Sequence, residues 1–167
     1  MFVVWRHNTA FIPYPNAMPQ ARVQSVTLGG SPDDVESSFY EALRLADIDR
    51  LMACWADEDD VVCVHPGGER LVGLGAIRAA FEAAFAAQMG LQIRVVQKHA
   101  VLALASAVHS VVERIQVQTP QGVHEGHVIA TNVYHKTAQG WRLVLHHASV
   151  GPALDLTEVP PSHAHLH

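Results

Sequence analysis

The side chains best suited to chemistry in this sequence are imidazoles, of which there are twelve among 167 residues. Three are candidates for a site: His65 ahead of Pro66-Gly-Gly, His127 in HEGHVIATN, and His147 in GWRLVLHHASVG. An imidazole titrates near neutral pH and can move a proton either way. Arg114, in VVERIQV, can hold negative charge. Arg114, Thr131, Trp55 and Trp141 are the expected ligand-binding surface, with His147, His127 or His65 as the base. Such a set suits a small anionic or carbonyl-bearing molecule set against an apolar wall. Each residue also has a plainer use. His147 and Ser149 can bond backbone at a sheet end, and Arg114 with His127 can be a surface cross-strand pair. Glu113 reads as a solvated or interface residue.

No metal and no cofactor is expected. His124 and His127 are three apart in a strand, so they fall on opposite faces, and the pattern is not the helical zinc motif. His163, His165 and His167 alternate and can chelate a divalent ion, but a solvated terminus is the simpler reading. Gly73-Leu-Gly75 is a lone glycine pair without the dinucleotide-binding fingerprint.

The elements that must position these groups are legible from periodicity. GWRLVLHHASVG alternates as a strand, with Trp141, Leu143, Leu145 and His147 on one face. Before it, Leu91 to Leu102, Ala103 to Gln118 and Val123 to Thr137 read as three long strands, with turns at Thr119-Pro-Gln-Gly122 and Ala138-Gln-Gly140. Pairing Gln118 with Val123 sets Arg114 opposite His127 and Val112 opposite Ile129. Pairing Thr137 with Trp141 sets Thr131 opposite His147 and Val133 opposite Leu145. One face then carries Val112, Arg114, His127, Ile129, Thr131, Val133, Trp141, Leu143, Leu145 and His147. The other carries Glu113, Val128, Asn132, Tyr134, Arg142 and His146. The first has the larger apolar patch and is expected to face inward. If the other face is interior, Asn132 or Tyr134 can supply a hydrogen-bond donor.

Upstream the period is helical. Ser31-Pro32-Asp33-Asp34 has a capping serine, a proline suited to the first helical position and acids in the first turn. Val35, Phe39, Ala42, Leu43 and Ala46 then form one stripe. Asp47 starts a short helix with Ile48, Leu51, Met52 and Trp55 on one side. Val61 to His65 is a short strand stopped by Pro66-Gly67-Gly68, with Glu69 to Val72 as a candidate hairpin partner. A third helix follows, burying Ile77, Phe81, Ala84 and Phe85 and ending at Gly90. Three helices ahead of four long strands predict an α+β fold: a conical, curved antiparallel sheet with the helices on its concave face.

Composition agrees with one globular domain: 49% of residues are hydrophobic and 16% charged. A net charge of −5 with neutral histidines gives no basic footprint for nucleic acid. No apolar run is long enough to span a membrane. Cys54 and Cys63 fall in apolar segments and read as reduced packing thiols. The start of the chain lacks a basic n-region, and a cytoplasmic location is expected.

The stretch FYEALRLADIDRLMACWADEDDVVCVHPGGERLVGLGAIRAAFEAAF, followed by four strands ending in GWRLVLHHAS, resembles the nuclear transport factor 2-like superfamily and, within it, SnoaL-like bacterial proteins. The resemblance runs from about Pro32 to Pro152. It implies a conical α+β barrel with a pocket inside and, commonly, a homodimer through the sheet. Steroid isomerase-like members place a carboxylate base and acidic hydrogen-bond donors in the same cone. The expected organisation is an arm over 1–30, a cone domain over 31–153 and a tail over 154–167. Three roles stay open: binding a small apolar or amphipathic molecule, cofactor-free isomerase, cyclase or dehydratase chemistry, and non-catalytic dimerisation.

Overall fold

Ser31 opens the first helix as its type predicts. Its Oγ accepts a hydrogen bond from the backbone N–H of Asp34 at 3.2 Å, and Pro32 occupies the first turn, where no donor is needed. The computed structural model describes residues 30–87, 91–119 and 122–151. The expected arm, the tail with His163, His165 and His167, the helix stop at Gly90 and the middle of the 119–122 turn lie outside these residues.

Helix α1 spans Pro32–Leu45. It ends at Ala46, whose φ of 52° is left-handed. Helix α2, Ile48–Ala53, is capped by the Asp47 side chain. Strands β1, Val62–Val64, and β2, Arg70–Val72, follow. Helix α3 covers Leu74–Ala87. The four long strands are β3 (Leu91–Leu102), β4 (Ser106–Thr119), β5 (Gly122–Thr137) and β6 (Gly140–Val150). They form one sheet in the order β2-β1-β6-β5-β4-β3, curved but not closed. The architecture is α+β, as the order of periodicities predicts.

The sheet is not wholly antiparallel. β1 lies parallel to β6, with Cys63 beside His146. The chain leaving α2 already runs along β6: Leu143 donates its N–H to the carbonyl of Cys54, and Ala56 donates to the carbonyl of Leu143, both at 2.9 Å. β1 continues in that direction.

The expected inner face is overturned, and a β-bulge is the reason. β4 and β5 pair as predicted, with Arg114 opposite His127. Thr131 sits opposite His147 and Val133 opposite Leu145, also as predicted. The expected pairing of Thr137 with Trp141 is corrected by one residue: Thr137 sits opposite Gly140 and Lys136 opposite Trp141, and Tyr134 sits opposite Leu143, so Val144 has no partner. One extra residue breaks strict alternation. Trp141 and Leu143 therefore share a face with His146 and Ala148, not with Leu145 and His147. That face meets the helices and includes Val111, Glu113, Val128, Ala130, Asn132 and Tyr134, all buried. A second irregularity, between Val95 and Gln97, brings Lys98 onto the same side, opposite Val111.

The core lies between this inner face and the helices. Val35 and Phe39 of α1, Leu51 of α2 and Ile77 and Phe81 of α3 are all buried over the sheet. Phe39 meets Trp55 and Phe81 edge-on, with ring centroids 6.4 and 6.2 Å away.

Candidate functional site

Between α3 and the sheet a cavity of about 360 Å³ remains unfilled by side chains. Phe81, Ala84 and Phe85 stand at i, i+3 and i+4 of α3 and so form one wall. Leu43 comes from α1, Ile93 from β3, Ile115 and Val117 from β4, and Ala148 from β6. The turn after β1 adds His65 and Pro66. Against these apolar walls stand three ionisable side chains: His65, Glu113 and His146.

Glu113 is 4% exposed. Burial pushes its carboxyl above the usual range, the hydrogen bond from Tyr40 pulls it down, and the nearby Glu36 carboxylate raises it again. Tyr40 Oη lies 2.6 Å from Glu113 Oε1. Asn132 Nδ2 donates to Tyr40 Oη at 3.2 Å, and Asn132 Oδ1 lies 2.7 Å from His146 Nδ1. These contacts fix direction. The amide nitrogen of Asn132 gives its proton to Tyr40, so the Tyr40 hydroxyl must donate onward to Glu113. The Asn132 carbonyl can only accept, so His146 carries its proton on Nδ1 and leaves Nε2 as an acceptor. Burial drops the His146 pKa to about 3, and burial lowers that of His65 as well. Both rings are neutral near pH 7. His65 stacks obliquely on Phe81 with centroids 4.8 Å apart, and its buried Nε2 has no hydrogen-bond partner among the described residues. The arrangement can accept hydrogen bonds from a ligand and exchange a proton with it through Glu113.

A second buried carboxylate, Glu36, ties α1 to the sheet. It lies 2.8 Å from His109 Nδ1 and 3.2 Å from Lys98 Nζ, with the Tyr134 hydroxyl at 3.4 Å. Asp33, Glu36 and His109 bring their ligand atoms within 4.8 Å of one another. The Lys98 ammonium sits on both carboxylates, 2.5 Å from Asp33, and supplies the positive charge a metal ion would bring there.

Of the residues expected to bind a ligand or act as the base, only His65 enters the cavity. Arg114, His127, Thr131 and His147 gather on the opposite face of the sheet, which corrects their expected place inside the cone. There His147 is exposed and the other three half-buried, and Arg114 Nε lies 3.2 Å from Glu125 Oε1. Trp55 and Trp141 are buried on the helix side but do not line the cavity. Glu113, read as solvated or at an interface, and His146 belong to the cavity instead. The available signal was chemical. Glu113, Asn132, Tyr134 and His146 share one face, and together they can satisfy one another when buried.

The SnoaL-like domain family matches residues 34–153. The chain belongs to that family. Among solved structures, this SnoaL-like domain is similar to a candidate calcium/calmodulin-dependent protein kinase type II association domain from Thiobacillus denitrificans, at 33% identity and a TM-score of 0.65. That match covers 75% of this chain and 98% of the other. It is also similar to a candidate dehydratase of the NTF2-like family from Streptomyces avermitilis, at 29% identity and a TM-score of 0.66, over 71% of this chain and 93% of that one. An NTF2-like protein of unknown function from Pseudomonas putida shares the fold at 19% identity and a TM-score of 0.64, over 75% of this chain and 88% of that one. No curated protein matches this chain.

Proposed function

We propose that this SnoaL-like domain binds a small, largely apolar molecule in the cavity beneath α3, with the molecule's polar end among Glu113, His65 and His146. One observation carries the reading: an apolar cavity of about 360 Å³ that ends on a buried carboxyl group. A space of that size and lining is what ligand sites look like. A carboxyl group taken out of water is costly unless its oxygens are partnered. The test uses the uncharged fluorescent probe N-phenyl-1-naphthylamine. It should bind the wild-type chain and be displaced by compounds of similar shape. Ala84→Trp, which fills the cavity from α3, should weaken binding at least about tenfold while the circular dichroism spectrum is unchanged. Equal binding by a folded Ala84→Trp chain would place the probe elsewhere and sink the proposal.

We propose further that the outer sheet face joins two copies of the chain. Ile129 and Val108 there are 40% and 38% exposed. Val112, Val133 and Leu145 are half-buried on the same face, making an apolar surface across three adjacent strands. The association-domain name of the Thiobacillus denitrificans relative agrees with a role in assembly.

A further inference from the structure

We propose that the cavity's ligand carries a positively charged nitrogen, a primary or secondary ammonium on an apolar body. The inference rests on the reading that the cavity holds a ligand, and it names the class. The argument is an inventory of donors and acceptors at the polar end. Glu113 Oε1 is taken by the Tyr40 hydroxyl, which leaves Oε2 to accept. His146 donates from Nδ1 to Asn132, which leaves Nε2 to accept. His65 brings a buried Nε2 with no partner among the described residues, which accepts when the ring carries its proton on Nδ1. The hydrogen-bond chain runs from His146 through Asn132 and Tyr40 and ends on the Glu113 carboxyl, so the network delivers its donors away from the cavity and presents lone pairs to it.

Charge points the same way. Among the described residues no lysine or arginine lines the cavity. A further charge that acts on Glu113 is the negative Glu36 carboxylate. An anionic ligand would meet repulsion from Glu113, with a single neutral imidazole N–H, on His65, to offset it. A neutral alcohol could satisfy one acceptor. A primary ammonium has three N–H donors and the opposite charge, so it can satisfy the carboxylate and an imidazole nitrogen together. Phe81 and Phe85 also line the cavity, and an aromatic face favours a cation over a neutral group of the same shape.

The experiment is a matched set on the full chain by titration calorimetry: cyclohexylmethylamine, cyclohexylmethanol and cyclohexanecarboxylate. The amine should bind at least about tenfold more tightly than the alcohol, and the carboxylate least tightly. In Glu113→Gln the amine should lose about tenfold or more, while the alcohol is little changed. An alcohol or carboxylate that equals the amine on the wild-type chain overturns the inference, and that comparison needs no variant to fold. If N-phenyl-1-naphthylamine binds in the cavity but the amine has no advantage, only the charge inference fails. If neither the probe nor any of the three compounds binds, the cavity reading fails with it.

Discussion

Glu113 and His146 are joined through Tyr40 and Asn132, yet burial acts on them in opposite senses. It raises the carboxyl pKa and lowers the imidazole pKa, because in each case the charged form loses its hydration. The consequences for stability have opposite signs. His146 titrates at about 6.5 when unfolded and about 3 when folded. Its contribution is therefore present above pH 6.5 and is lost as pH falls toward 3, at up to about 1.4 kcal/mol per pH unit. Glu113 contributes most at low pH, and that contribution fades as pH rises through its raised folded pKa. We expect the resistance of the wild-type chain to urea to fall on acidification from pH 6.5, and His146→Asn, which keeps a donor near Nδ1, to show a shallower slope over that window. Identical slopes would remove His146 from the buried network. At this scale the sequence was informative about His65, because Pro66-Gly-Gly marks where a strand stops and turns. It was misleading about Glu113. The neighbours that make it a network member come from α1 and β5, 73 residues away for Tyr40, and no local pattern reports them.

At the scale of elements, local signals were strong where local physics decides. Ser31, Pro32 and Asp47 set helix starts through their own side chains, and the four long strands follow from alternation. Register was readable between β4 and β5, where Arg114–His127 pairs as its turn predicts. Thr131–His147 also pairs, but its turn sets Thr137 against Gly140 rather than Trp141, and the bulge makes up the one-residue difference. Facing was not readable, because one unpaired residue at Val144 shifts the phase of half a strand and leaves no mark in hydrophobicity. The helix ends offer a direct check. Ala46 closes α1 at a φ of 52°, a region that disfavours an L side chain and suits glycine. Ala46→Gly should stabilise the chain by about 1 kcal/mol or somewhat less, the relief of strain exceeding the added freedom of the unfolded chain. A lower denaturation midpoint in that variant would show that the left-handed turn carries no such strain.

At the scale of the molecule, the two sides of the sheet divide the work. The inner side carries the helices, the cavity and both buried carboxylates. The outer side carries the apolar residues we assign to pairing. In sedimentation velocity the wild-type chain should run at twice the mass of a single chain. Ile129→Glu, which puts a charge in the middle of that surface, should run as a single chain with unchanged secondary structure. A wild-type chain that stays single at concentrations on the order of 10 µM, well above the Kd of a stable pair, would remove the outer face from assembly. Cys54 and Cys63 take part in neither surface. Both are free and buried, and burial lifts their thiols to about 12, in keeping with the packing role their apolar surroundings suggest. Among the described residues no helix is long and apolar enough to cross a membrane.

The unpaired Val144 has a practical bearing on comparing this chain with its relatives. Homologues whose last strand is regular should align to it with a one-residue gap at that position. Placed elsewhere, the gap equates the imidazole that looks into the cavity with its neighbour in water, and an inventory of shared site residues compiled across the family would then describe the wrong side of the sheet.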